Sequence, residues 1–402
     1  LNTMATLLLI IIYVSFISLG LPDGMLGAAW PVMRLDFAVP LGSAGIISMI
    51  ISLGTVISSL FSAKLIKKFG TGMISLVSVF LTALALLLFS FAQSLYPLFL
   101  FAIPLGIGAG AIDSALNEYV AEHYEASHMN FLHSFWGIGA LSGPVIMSLF
   151  LQKNGSWNSA YFLVAIIQFA LTLALFFALP LWNHKSLQKK EHPNADIFKD
   201  EPKQKEPLKK VLTQRGVKGV LVSFMLYTGI EATMGLWGAS YLKDSLFFSA
   251  ERAALWTSLF YTGIMAGRFI SGFLAMRLSS KQLLKTGTSL ISLGSLFLLL
   301  SLIQSLPHEI ALIGFILVGL GCAPVFPGML HETPRRFGRE HAQSIMGFQM
   351  AVAYTSTTIL PPLFGLIASF LGTWLLPFTI VLYGFVLYIL NKRSFHVFNT
   401  SA

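Results

Sequence analysis

Asp113, Asn117 and Glu118 lie inside the stretch GIGAGAIDSALNEYVAEHY, Gly106 to Tyr124, which follows the almost wholly apolar YPLFLFAIPL. A carboxylate there can take up and release a proton, hold a cation, or accept hydrogen bonds from hydroxyl groups. Asp113 and Asn117 are four apart and share one helix face, so a carboxylate and an amide act together. Asp23 and Glu231 are further acids in apolar surroundings. The segment MNFLHSFWGIGALSGP adds Asn130 and His133 three apart, with Trp136 continuing the same stripe. Trp237 and Gln349 complete the types a hydroxylated neutral solute needs: amides and carboxylates for its hydroxyls, and aromatic faces for its ring. Taken singly, His133, Trp136 and Trp237 are ordinary packing residues. Glu118 and Glu122 approach a helix end, where long side chains reach water cheaply, and read as structural.

The elements that position these groups are membrane helices. With 55% hydrophobic and 11% charged residues and a mean hydropathy of +0.76, the chain is far more apolar than a soluble domain, in which about 25% of residues are charged. Apolar runs of about 20 residues, the length that crosses a bilayer, recur from end to end, and the short alternating strands of a barrel do not. Lipid cannot satisfy open backbone groups, so helices must span it. Spans are expected at 5–32, 41–63, 72–92, 96–122, 130–152, 159–182, 217–242, 252–276, 283–304, 308–332, 341–369 and 373–391. Lys64, Lys67, Lys68, Arg277, Lys281, Lys285, Arg335, Arg336, Arg339, Lys392 and Arg393 fall in alternate loops, which the positive-inside rule makes cytoplasmic, with both termini on that side. The net charge of +9 therefore records orientation and points to no nucleic-acid partner. Cys322 is the single cysteine, which excludes an internal disulfide, and no HExxH, GxSxG or clustered metal ligands occur, so neither an enzyme nor a cofactor is expected.

The polar, lysine-rich segment from His184 to Arg215 divides the chain into 1–183 and 216–402, with 184–215 expected as a solvated cytoplasmic linker. The halves resemble each other: GTVISSLFSAKLIKK (Gly54 to Lys68) matches GIMAGRFISGFLAMR (Gly263 to Arg277), LGIGAG matches VGLGCA, and GAAW matches GASY. The architecture this predicts is all-α, twelve helices in two pseudo-symmetric bundles, with a solute bound near mid-membrane where the repeats meet. Asp at a helix centre costs about 2.5 to 3.5 kcal/mol on insertion scales. Such residues face a wet path or pair with a cation, and Arg268 is the available partner for Asp113.

GFLAMRLSSK (Gly272 to Lys281) resembles a loop signature of the major facilitator superfamily, and the first-half loop keeps the basic residues Lys67 and Lys68. Within it, GAGAIDSALNEYV is similar to the fourth helix of the fucose, galactose and glucose proton symporters. The similarity continues through Asp23, Asn130, Phe135, Gly139, YTGIE (Tyr227 to Glu231), GRF (Gly267 to Phe269) and FPGML (Phe326 to Leu330). It implies proton-coupled sugar uptake by a monomer in the plasma, or bacterial inner, membrane. The resemblance carries proton coupling and sugar binding over to Asp23 and Asp113; on residue type and placement Glu231 would join them in coupling protons, Asn117, Asn130, His133, Trp136, Trp237 and Gln349 would bind substrate, and Lys68, Arg268, Arg277, Pro324 and Pro327 would serve gating or structure. GALSGPVIMS (Gly139 to Ser148) carries GxxxGP, half of an antiporter signature, so proton-driven efflux of amphipathic compounds stays open.

Overall fold

The computed structural model describes residues 3–124, 126–154, 156–182 and 208–399. These form α1 (Thr3–Gly20), α2 (Met25–Asp36), α3 (Ser43–Phe69), α4 (Thr71–Ser90), α5 (Leu95–His123), α6 (Ala126–Asn154) and α7 (Trp157–Trp182) before the linker. After it come α8 (Leu208–Thr213), α9 (Val217–Asp244), α10 (Ala250–Leu274), α11 (Ser280–Leu300), α12 (Ile310–Cys322), α13 (Val325–Phe337), α14 (Arg339–Leu371) and α15 (Leu376–Asn399). No strand occurs among the described residues. Because α1 with α2 and α12 with α13 are each one interrupted span, and α8 is too short to cross, twelve spans result among the described residues. Eleven helical stretches are apolar and long enough to cross a membrane. The remaining span, α10, has 25 residues but carries Arg268 among Trp256, Thr257, Ser258, Tyr261 and Thr262.

The two interruptions have local causes. Pro22 lacks the N–H that a continuing helix uses, and the chain turns through Leu21–Gly24, with the Asp23 N–H donating to the Gly20 carbonyl at 3.1 Å. Pro324 does the same in the other half, where α13 restarts at Val325. Within the first half α3 packs on α5 and α4 on α7; within the second, α11 packs on α12 and α9 on α14. The glycines of α5 permit the first contact, since a methyl group at Gly106 would run into the carbonyl of Ile51.

The linker reading needs one correction. Residues 183–207 lie outside the described residues, but 208–213 are helical, and Val211 is buried against the second half. The Leu208–Thr213 turns are thus docked on α9 and α14 rather than solvated.

Four helix pairs join the halves: α2 with α9, α2 with α10, α6 with α10, and α3 with α14. On the side away from the linker, Arg34 at the end of α2 meets Asp244 at the end of α9 at 2.8 Å, and the Gly42 N–H donates to Ser369 Oγ at 2.7 Å. Gly27 lies so near the Gly235 and Leu236 backbone that a side chain has no room. The path between the halves is therefore closed on that side.

Candidate transport site

Asp23 stands in the break between α1 and α2 and keeps its carboxylate exposed to the path, because the turn takes it out of the helix surface. The Trp136 indole N–H donates to Asp23 Oδ2 at 2.7 Å. The opposite half then contributes: the Arg268 guanidinium, from α10, lies 4.7 Å from the Trp136 ring centroid. A guanidinium over an indole face is attracted by the ring quadrupole, by about 0.5 to 2 kcal/mol. Arg268 Nη2 also reaches Glu231 Oε1 on α9 at 3.8 Å. Glu231 accepts a hydrogen bond from Tyr227, one helical turn earlier. The sequence Asp23, Trp136, Arg268, Glu231, Tyr227 thus crosses the path from one half to the other.

Asp113 forms a second acidic position. The Asn117 side-chain amide donates to the Asp113 carbonyl at 2.9 Å and to Oδ1 at 2.9 Å, as their spacing on one helix face requires. Both residues are half-buried. Asp23 is within electrostatic reach of both Asp113 and Glu231. Tyr354 on α14 is hydrogen-bonded to Ser59 on α3 and is within electrostatic reach of Asp113. Buried Tyr261 is within electrostatic reach of both Asp23 and Glu231.

The superfamily profile described as Major Facilitator Superfamily matches residues 12–250 and again 219–398. The chain belongs to that superfamily. It is a multi-pass membrane transporter and not an enzyme. This transporter is 25% identical over 328 residues to the glucose/mannose transporter GlcP of Bacillus subtilis (strain 168), covering 78% of the chain and 77% of the relative. It is 24% identical over 392 residues to bypass of stop codon protein 6 of Saccharomyces cerevisiae (strain ATCC 204508 / S288c), covering 90% and 77%. Among solved structures, the nucleoside transporter NupG (D323A mutant) has the same fold, with a TM-score of 0.74, 14% identity, and 96% and 98% of the two chains covered.

The structure sorts the residues expected in the transporter's site. Asp23, Asp113, Asn117, Trp136, Glu231 and Arg268 come together around the path as above. His133 is half-buried, meets the Phe16 ring edge-on at 5.9 Å, and feels the field of Arg268. Asn130 is on α6, and its side chain lies outside the described residues. Two expectations fail. Trp237 is fully buried, donating to the Pro361 carbonyl at 2.8 Å, so its ring packs α9 on α14 and offers no face to a solute. Gln349 is also fully buried, and its Oε1 accepts from Thr333 at 3.0 Å, which ties α14 to α13. Arg268 pairs with Glu231 and lies on Trp136, so the alternative of a structural lock between Arg268 and Asp113 is not the arrangement found.

Pro324 and Pro327 sit at the restart of α13; Lys68 and Arg277 are exposed at the linker-side ends of α3 and α10, and Glu118 is exposed near the end of α5. Sequence reasoning missed Tyr261 and Tyr354. Tyr261 was legible, being seven residues before Arg268 and on nearly the same helix face.

Proposed function

We propose that this transporter takes up a hexose-like sugar together with protons by alternating access, as a monomer in the plasma membrane with both termini cytoplasmic. In this reading the bundles 1–183 and 216–402 rock about the path, and segment 184–215 is the cytoplasmic connection. The observation that carries the reading is the set of three acids between the two halves, of which only Glu231 is charge-matched by an arginine among the described residues. A carboxylate in a membrane interior is costly and marks an ion or proton route. Asp23 and Asp113 are the groups left to take protons, while Asn117, His133 and Trp136 supply hydrogen-bonding and aromatic partners for a sugar. Similarity to a glucose/mannose transporter supports that cargo class. Gly139 and Gly143, which raised efflux, seat α6 against the end of α1 and the turn leading into α2, a packing role that calls for no amphipathic cargo.

The test is uptake of labelled glucose and mannose by purified protein in liposomes, with and without an imposed pH gradient. Uphill accumulation driven by external acid is expected. Asp23→Asn keeps shape and strands no cation, since Arg268 is held by Glu231; exchange of sugar should persist and pH-driven accumulation should collapse. Accumulation indifferent to the gradient in the wild type refutes proton coupling, and extrusion of amphipathic dyes without sugar uptake refutes import.

A further inference from the structure

We propose that the sugar carried at this site bears a protonated amine, received by Asp113 and Asn117; the inference rests on the sugar-transport reading above. Asn117 Nδ2 faces two acceptors, the Asp113 carbonyl and Oδ1, each at 2.9 Å. Two acceptors leave the amide one orientation, so its own Oδ1 is turned outward. Asp113 Oδ2 and Asn117 Oδ1 then have no partner among the described residues. The pair therefore presents acceptors alone, and no donor. Within electrostatic reach of Asp113, the Trp136 N–H is turned onto Asp23 Oδ2, leaving Asp23 Oδ1 as another acceptor without a partner among the described residues. The wall contributed by the first half is thus fitted to a group rich in N–H or O–H donors, and a carboxylate or phosphate on the cargo would meet like charge.

Charge narrows the class. Asp23 lies within electrostatic reach of Asp113 and Glu231, three acids whose ionised forms together carry three negative charges, and Arg268 is the cation beside them among the described residues. Arg268 lies on Trp136 and is matched by Glu231, in turn held by Tyr227. Two carboxylates remain, and closing the path over them takes them out of bulk water, where an unmatched charge is expensive. One proton on Asp23 and one ammonium against Asp113 leave the closed site neutral. A plain hexose needs a second proton for the same result, and an anionic sugar needs a third positive charge. An ammonium has three N–H donors in a tetrahedral fan, so it can engage Asp113 Oδ2 and Asn117 Oδ1 together, and charge-assisted bonds of this kind are about twice as strong as neutral ones.

The experiment is competition against labelled glucose in the same liposomes, at mildly acidic pH where glucosamine is protonated, with unlabelled glucosamine, glucose and glucuronate as probes. Glucosamine should compete at a concentration at least about tenfold below glucose, and glucuronate should not compete. Asp113→Asn should abolish the preference, read as the ratio of the competing concentrations of glucosamine and glucose falling to about one whatever the variant's absolute affinity for glucose. The wild-type order alone decides the matter if the variant fails to fold. If glucose is carried and glucosamine competes no better than glucose, the inference is overturned and the sugar reading stands. Competition by glucuronate that matches or exceeds glucosamine also overturns the inference. If none of the three is bound or carried, the sugar reading falls and takes the inference with it.

Discussion

Arg34 and Asp244 hold the two halves together where the path is closed, so breaking them should open that side without unfolding either bundle. The Arg34 Nη2 donates to Asp244 Oδ2 at 2.8 Å, with the side chains 23% and 21% exposed. A hydrogen bond between charged partners contributes about 1.5 to 3 kcal/mol, and partial access to water lowers this to about 1 to 2 kcal/mol. Each 1.4 kcal/mol is a factor of ten, so Asp244→Ala should raise the open-to-closed ratio by about 5- to 30-fold. Lys243 lies 3.8 Å from the other Asp244 oxygen. That contact lies within one half, so Arg34→Ala, which removes the same bond between the halves, should shift the ratio by a similar factor.

Spin labels at Leu35→Cys and Phe247→Cys would read the opening as a longer distance, since both positions are exposed and the native Cys322 is buried from the label. The double variant should show less than the sum of the two single effects, because the pair can be lost only once. Distances unchanged in Asp244→Ala, or effects that add fully, would show that the pair is not the closing contact.

Gly27→Val places a branched side chain against the Gly235 and Leu236 backbone and should wedge the same side open, seen as lengthened label distances and lost sugar exchange. Gln349→Met removes an acceptor from Thr333, which keeps its bond to the Met329 carbonyl at 2.9 Å, and removes a buried amide nitrogen that lacks a partner. Its expected outcome is a stability within about 1 kcal/mol of wild type and an unchanged KM for transport, read by thermal unfolding and uptake; a raised KM would return Gln349 to the site.

The spans were legible because hydropathy and length set them, and Asp113 with Asn117 because helix spacing alone brings them together. The facing of other residues was not. In a membrane helix, apolar residues cover the side toward lipid and the side toward its neighbours alike, so Trp136 and Trp237 give the same signal; one lines the path and the other packs beneath it. Arg268 could be assigned a partner only by availability, whereas the choice between Asp113 and Glu231 depends on how α10 lies against α9. The docked turns at 208–213 were hidden by the lysines around them, since Val211 and Leu212 make too short an apolar run to show periodicity.

The contacts between the halves differ in kind with their position, and the difference suits a rocking motion. On the side away from the linker they are directional: a charge-assisted bond from Arg34 and the N–H of Gly42 on Ser369 Oγ. Such bonds weaken steeply once bent or stretched, so they define one closed arrangement and release together. Beside Asp23 the contact is a guanidinium lying on an indole face, held by an attraction that reaches about 6 Å and fixes no single atom pair. Arg268 can slide on Trp136 while keeping Glu231, which rides in its own half. The edge thus acts as a latch and the centre as a bearing. Small rotations of either bundle can therefore alter the contacts at the edge while Arg268 keeps both Glu231 and the Trp136 face.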